Sequence, residues 1–330
     1  MKTILLTGGA GFIGSNLLFY LIKKYPNYKI VNVDNLTYAS NYDFIKLLEK
    51  KENYSFYKGS INNLDWIRSI FKKYSCYSIL NLAAESHVDN SINNPLKFAE
   101  TNVLGTINLL NVSNEFWSNT TFENKIFYHI STDEVYGSLG KTGSFTEKTK
   151  YNPRSPYSAS KASSDHFVMA YFSTYKLPAI ISNCSNNFGI NQHDEKLIPT
   201  VVKNIISKNK IPVYGDGRNV RDWLFVEDHI KAIDLILHNG RIGNTYNIGG
   251  GNEISNLQLI KNIIQILTED KQLDNKDFEE YFKFVKDRMG HDFRYSVDYS
   301  KIKNDLGWNP TSNFLDSLRL TVNWYKNKYE

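Results

Sequence analysis

Only two cysteines occur in the 330 residues, Cys76 and Cys184. Each lies inside an apolar run, so a disulfide framework is not expected and a reducing, cytoplasmic location is. No apolar run approaches the roughly 20 residues that a membrane-crossing helix needs. The opening MKTILLTGG has no separate charged region, apolar block and cleavage site, which argues against a signal peptide. Internal repeats and low-complexity linkers are also missing. The formal net charge is +5, but the basic residues are dispersed. That speaks against a nucleic-acid footprint and leaves a mildly basic surface suited to a small anionic ligand. What remains is a globular composition, 41% hydrophobic and 22% charged. It is long enough for one large α/β domain or for a core domain with a smaller lobe.

Short apolar runs alternate with helical patterns through the first half. TILLT (3–7), KIVNVD (29–34), YSFYKGS (54–60), SILNLAA (78–84), KIFYHI (125–130) and AIISNCS (179–185) read as strands. LDWIRSIFKKY (64–74) and FAETNVLGTINLLNVSNEF (98–116) read as helices between them. This alternation predicts βαβ units and a doubly wound parallel sheet covered on both faces. The second half carries loop-like stretches between the helices EDHIKAIDLILHNG, NLQLIKNIIQILTED and LDSLRLTVNWYKNKY, with a late strand FKFVKD. The expected division is a Rossmann-like domain over 1–187, with the chain returning at about 223–250. A mixed α/β substrate lobe takes 188–222 and 251–330.

TGGAGFIGSN follows the first strand and spaces Gly8, Gly11 and Gly14 as GxxGxxG. A dinucleotide needs a tight strand-to-helix turn, close backbone approach to its pyrophosphate, and a helix N-terminus with free N–H groups. The second strand ends at Asp34, about 20 residues after Gly14, where an acid binds the adenosine ribose and repels a 2′-phosphate. NAD is therefore favoured over NADP; the plainer alternative is a structural turn capped by Asp34. NLTYASN beside it can wrap the adenosine. In LNLAAESHVDNS, His87 reads as an ordinary strand-end polar group.

PYSASKASS puts Tyr157 and Lys161 four apart, on one face of a helix. An ammonium beside a phenol lowers the phenol pKa and lets it take a proton from an alcohol as hydride leaves the carbon. The plainer alternative is a surface pair. HISTDEVYG then places Thr132, Asp133 and Glu134 in a row after an apolar run. These acids are either a capped, solvated turn or a pair that works together.

The words TGGAGFIG, Asp34, LAA, the Ser/Thr pair and YxxxK resemble the extended short-chain dehydrogenase/reductase superfamily over essentially the whole chain. AAESHVDNS, HISTDEVYG, SPYSASK, CSNNFG, EKLIP, VYGDG, VRDWL and DRMGHD resemble its nucleoside-diphosphate-hexose 4,6-dehydratases in particular. Sugar epimerases of the superfamily generally lack the Asp–Glu pair, and UDP-glucuronate decarboxylases have Ser where this chain has Asp133. Loss of water across C5–C6 of a hexose needs C4 oxidised, a base for the C5 proton, an acid for the C6 hydroxyl, and the hydride returned at C6. Two carboxyls in different protonation states can serve as base and acid, and their proximity raises one pKa. The resemblance makes Tyr157, helped by Lys161, the base at C4, with Thr132 bonded near that oxygen. It makes Asp133 the acid at C6, Glu134 the base at C5, and NAD a tightly bound, recycled cofactor.

By the same resemblance the cofactor is lined by Phe12, Ile13, Asp34, Asn35, Leu36, Thr37, Ser60, Ile61, Leu82, Ala83, Ala84, Thr101, Tyr157, Lys161 and Asn187. The sugar nucleotide is held by Ser86, Thr132, Asn186, Lys196, Leu197, Pro212, Val213, Tyr214, Arg221, Asn256, Asp287, Arg288 and His291. No metal site is expected. Arg221 can grip a diphosphate, or pair with Asp222 or Glu227. Ser60, Asn90, Met289, Phe188 and Phe293 depart from the commonest dTDP-glucose pattern. The expected substrate is dTDP-glucose, with UDP-GlcNAc or UDP-glucose as alternatives; a C4 epimerase or a non-catalytic NAD-binding protein is a further alternative. The resemblance also implies a homodimer through FAETNVLGTINLL and SKASSDHFVMAYFSTY, whose apolar faces equally fit simple burial.

Overall fold

The computed structural model describes residues 2–269, 277–287 and 289–330. In chain order the strands are β1 (Lys2–Thr7), β2 (Tyr28–Asp34), β3 (Tyr54–Lys58), β4 (Ser78–Asn81), β5 (Ile126–Thr132) and β6 (Ala179–Cys184). The second half adds β7 (Asn186–Phe188), β8 (Ile211–Tyr214), β9 (Val220–Phe225), β10 (Thr245–Ile248), β11 (Glu253–Ser255) and β12 (Phe282–Val285). A seven-stranded sheet runs in the order β10-β6-β5-β4-β1-β2-β3, and every pairing in it is parallel. The predicted doubly wound sheet is thus present, and β10 is the place where the second half returns to it.

Successive residues of β1 point to opposite faces, as the pleat requires. Ile4 and Leu6 join a core cluster with Leu17, Leu18 and Leu21 of the helix Phe12–Lys24. Leu5 joins the opposite cluster with Ile67, Ile70 and Phe71 of the helix Leu64–Tyr74. Those three residues recur at helical spacing, and burying each contributes roughly 1.5–3 kcal/mol. The Asn63 side chain caps this helix by accepting from the Trp66 N–H, and a left-handed Ser75 ends it. The boundaries match the predicted 64–74.

Two small sheets build the second half. β7, β9 and β11 form one; β8 and β12 form the other. Strand order reverses around β1, whose neighbours are β2 and β4. A crevice opens there, beyond the carboxyl ends of the strands, which is where doubly wound sheets bind ligands. The predicted strand 78–84 stops at Asn81. Leu82 to Ala84 continue as irregular chain along the crevice.

Candidate active site

The glycine turn follows from steric need at two positions. Gly14 opens the first helical turn, and a Cβ there would lie 2.2 Å from the Gly8 carbonyl oxygen. Gly8 has φ +76, and a Cβ on it would meet the backbone nitrogen of Ala83 at 2.7 Å. Around Gly11 the chain leaves more room. The helix Phe12–Lys24 starts there with no side-chain cap and no acid in its first turn. Its N–H groups and positive dipole end open on the crevice, an arrangement that suits a pyrophosphate.

Asp34 does two jobs. Its Oδ2 accepts from the Ala10 N–H at 2.8 Å, while Oδ1 accepts from the Leu36 N–H and the Ser40 hydroxyl. It therefore ties the glycine turn to the end of β2, as the plainer alternative requires. A carboxylate offers about four acceptor sites, so one remains on the crevice that Asp34 also lines.

The crevice is lined by Gly8, Gly11, Phe12, Ile13, Gly14, Asp34, Asn35, Thr37, Ser60, Ile61, Leu82, Ala83, Ala84, Ser86, Thr101, Thr132, Asp133, Glu134, Tyr157, Lys161, Asn186, Asn187 and Lys196. Leu36 is different. Its left-handed backbone, φ 53, turns the side chain onto the core instead. Thr101 reaches the crevice from Ala99–Leu104, where the predicted helix widens to i→i+5 turns, a local irregularity common near functional sites. Asn102 in the same stretch clamps Glu85 by accepting from its N–H and donating to its carbonyl.

β5 ends at Thr132, and the acids follow in one tight turn. The Thr132 Oγ1 accepts from the Glu134 N–H at 3.3 Å, so the turn is capped. It is not solvated, however. Asp133 is only 2% exposed, and its Oδ2 has no hydrogen-bond partner among the described residues. Burial, then the neighbouring Glu134 and Asp222, push its pKa well above the carboxylate range. Asp133 is therefore biased toward its protonated form. Glu134 lies beside it, with Oε2 accepting from the Ser158 hydroxyl at 3.4 Å.

Tyr157 and Lys161 share the helix Pro156–Tyr175 and both are buried. The expected depression of the phenol pKa is corrected. Burial, then Glu134, hold Tyr157 well above the ordinary phenol value, with Thr132 opposing them through a hydrogen bond. The Lys161 Nζ donates to the Ile130 carbonyl at 2.9 Å and lies 3.3 Å from His129 Nε2. Among the described residues it makes no hydrogen bond to the phenol.

A second, smaller cavity adjoins the crevice. Ser86, Asn186, Lys196, Leu197, Arg221, Asn256 and His291 line it, together with Glu134. Arg221 pairs with neither Asp222 nor Glu227. It donates to the carbonyls of Val220, Phe293 and Asp292, and its guanidinium lies 4.5 Å from the centre of the Tyr295 ring. Pro212, Val213, Tyr214 and Asp287 line neither cavity. β8 pairs with β12, burying Val213 in the core and leaving Tyr214 exposed. Asp287 takes the His291 Nδ1 at 2.6 Å. Arg288 lies outside the described residues. His87 caps the helix Val88–Asn93 by accepting from the Asn90 N–H, as a strand-end polar group would.

Several lining residues carry no motif. Glu85 is buried and pairs with Lys97 at 2.8 Å; Gln192, His193 and Glu195 close the junction of the two cavities. Tyr295 and Asp292 form the far wall. They come from irregular chain, where no periodicity marks an inward side chain.

A Rossmann crevice that fits a dinucleotide, with a buried Tyr–Lys pair on its catalytic side, defines a nicotinamide-dependent protein of the extended short-chain dehydrogenase/reductase class. The model of the family described as GDP-mannose 4,6 dehydratase matches residues 5–321. The chain belongs to this dehydratase family. It is 49% identical to the dTDP-glucose 4,6-dehydratase of Haemophilus influenzae, over 98% of each chain. The Escherichia coli dTDP-glucose 4,6-dehydratase is 46% identical over 99% of this chain and 94% of its own. A crystal structure of dTDP-glucose 4,6-dehydratase from Bacillus anthracis in complex with NAD superposes with a TM-score of 0.89 at 44% identity, covering 99% and 97% of the two chains. A UDP-glucose 4-epimerase from Thermotoga maritima has the same fold at 27% identity, with a TM-score of 0.87 and full coverage of both chains.

Proposed function

We propose that this protein is an NAD-dependent lyase that dehydrates dTDP-glucose to dTDP-4-keto-6-deoxyglucose. The carrying observation is the capped turn after β5, which buries Asp133, its pKa raised by that burial, beside Glu134 on the crevice that Tyr157 lines. An epimerase has no use for that acid, since its product keeps every oxygen. Relatives at 46–49% identity named for dTDP-glucose favour that nucleotide over UDP. The departures at Ser60, Asn90, Met289 and Phe293 then count as variation around the same substrate.

The roles are those that the family resemblance implies, and the geometry is compatible with them. Tyr157 takes the C4 hydroxyl proton, with Thr132 bonding near the same oxygen. When bound, NAD supplies the hydride acceptor at C4, the hydride donor at C6, and positive charge that favours the phenolate. Glu134 removes the C5 proton made acidic by the adjacent carbonyl. Asp133 delivers its proton to the C6 hydroxyl as water leaves. Its burial matters here, because an exposed carboxyl would already be ionised at neutral pH. Ser86, Asn186, Lys196, Leu197, Arg221, Asn256 and His291 face the sugar nucleotide in the smaller cavity. Arg221 is held rigid by three carbonyls and still carries the charge a diphosphate needs.

The division into 1–187 with a return at 223–250, and 188–222 with 251–330, suits this reading because both parts line the smaller cavity. Leu104, Phe167 and Tyr175 are large, exposed apolar residues on the two helices expected to pair, which supports a homodimer. A cytoplasmic location agrees with two free, buried cysteines. The test is incubation of the purified protein with dTDP-glucose, UDP-glucose and UDP-GlcNAc, followed by mass spectrometry. Loss of water with dTDP-glucose foremost is expected. Unchanged mass with altered stereochemistry would instead indicate an epimerase.

A further inference from the structure

Behind the Tyr–Lys pair lies a buried polar cluster that the proposed mechanism does not use. Asp165 follows Lys161 by four residues, as Lys161 follows Tyr157, so the three share one face of the helix Pro156–Tyr175. Asp165 is 1% exposed. Its Oδ2 accepts from the hydroxyls of Ser131 at 2.8 Å and Tyr151 at 2.9 Å. Its Oδ1 makes no hydrogen bond to a described residue and lies 3.4 Å from His129 Nε2. His129, also 1% exposed, brings that same Nε2 within 3.3 Å of the Lys161 amine.

The neighbours fix the tautomer of that ring. The Thr7 hydroxyl accepts from the Ala83 N–H and donates to Asn81 Oδ1 at 2.8 Å. The Asn81 amide is thereby oriented, and its Nδ2 donates to Thr106 and to His129 Nδ1 at 3.0 Å. Nδ1 accepts, so the proton of the neutral ring is on Nε2. Ser164 gives its own proton to the Lys161 carbonyl and accepts from Nε2 at 3.2 Å. An ammonium at Lys161, 3.3 Å from Nε2, therefore meets a donor and not an acceptor. His129 cannot neutralise it, and the nearest buried carboxylate in the cluster is Asp165.

We infer that Asp165 is a positioning residue for the reaction, the buried counter-charge that keeps Lys161 an ammonium beside the neutral His129 ring. A buried charge without a partner is costly, and a partner on the same helix face repays part of that cost. Burial lowers the Lys161 pKa, and Asp165 is the largest influence opposing it. Ser131 and Tyr151 favour the ionised carboxylate by donating to it.

The charge of Lys161 can be read directly from ¹³Cε-lysine NMR of the whole protein with its NAD, using Lys161→Arg to assign the resonance. The wild type should show a charged Lys161 at neutral pH. In Asp165→Asn, which keeps the shape and can still accept from Ser131 and Tyr151, the Lys161 midpoint should fall by about one pH unit or more. A neutral Lys161 in the wild type, or an unmoved midpoint in the variant, overturns the inference.

The wild type alone gives a second readout, so a variant that fails to fold does not shield the idea. Burial raises Asp165 to about 6, and the Lys161 resonance should inflect there as its counter-charge is lost. Burial keeps His129 neutral, raises Cys184 to about 12, and pushes the phenols of Tyr151, Tyr136 and Tyr157 far upward. No inflection would contradict the counter-charge. A kinetic arm rests on the proposed dehydration: Asp165→Asn should lower kcat about tenfold or more with KM little changed. An inactive wild type would count against that dehydration alone, because the NMR readout needs no substrate.

Discussion

Asp133 costs the fold what it gives the chemistry. A carboxyl whose folded pKa is raised binds its proton more tightly when folded than when unfolded. Its effect on stability is nil below the unfolded pKa of about 4 and becomes increasingly destabilising as pH rises toward the folded value. Asp133→Asn should therefore raise Tm at neutral pH and leave it unchanged at about pH 3, measured by scanning calorimetry. The same variant should slow water loss by about a hundredfold or more while C4 oxidation persists, so absorbance of reduced nicotinamide accumulates on adding substrate. Dehydration at the parental rate would remove Asp133 from the acid role.

At this scale the sequence was legible where spacing or adjacency mattered. The three glycines, Asp34, the paired acids and the i,i+4 Tyr–Lys pair could all be found by reading. What Lys161 does could not. Its acceptor is a carbonyl of β5, and the ring beside it belongs to a histidine 32 positions upstream. Arg221 likewise bonds three carbonyls that no side-chain pattern announces, in place of the acids beside it in the chain.

The helix Phe12–Lys24 must meet the turn at van der Waals contact, so Gly14→Ala should drive the Gly8 carbonyl aside and open the pyrophosphate cradle. Purified Gly14→Ala protein should retain at least about tenfold less NAD than the wild type, assayed by chromatography of the released nucleotide. Normal retention would mean that the turn does not hold the cofactor as argued.

The same helix is clamped at its other end. Asp234, in the helix Val226–Asn239, accepts from Tyr20, Lys24 and Tyr25 and takes His238 Nδ1 at 3.1 Å. Despite the cost of burial, these donors lower Asp234 to about 2. A lowered folded pKa gives stability that is present above the unfolded value of about 4 and lost as pH falls through about 2. Asp234→Asn should lose about 2 kcal/mol at neutral pH, and the gap to the wild type should close in strong acid, followed by denaturant melts. His238 is raised by the same carboxylate, so its share has the opposite sense: present below its unfolded pKa and lost as pH rises through the folded one. Helix existence was readable from apolar spacing, as with Ile67, Ile70 and Phe71. The widened turns at Ala99–Leu104 were not, because i→i+5 geometry leaves no periodic mark in so short a stretch.

For the whole molecule, the reading of a doubly wound sheet with a smaller lobe held because buried parallel strands are continuous apolar runs. The return of β10 to the sheet was foreseen only as a crossing somewhere within 223–250. The small sheets were harder, since β7 and β11 are three residues each and pair far from their chain neighbours. Their pairing decides which side chains reach the smaller cavity, and it sends Val213 to the core. If the exposed apolar residues of the two helices meet a second copy, Leu104→Glu together with Phe167→Glu should convert a dimer to monomer in sedimentation velocity. An unchanged sedimentation coefficient would place the interface elsewhere.

The central claim is that one bound NAD stores the C4 hydride while the acids remove water and then returns it to the same sugar. Mass spectrometry after incubation with dTDP-glucose deuterated at C4 tests it most directly. The expected product has lost one water and kept the deuterium, now at C6, with no NAD consumed. Product of unchanged mass, or water lost with the deuterium washed out to solvent, would contradict the account.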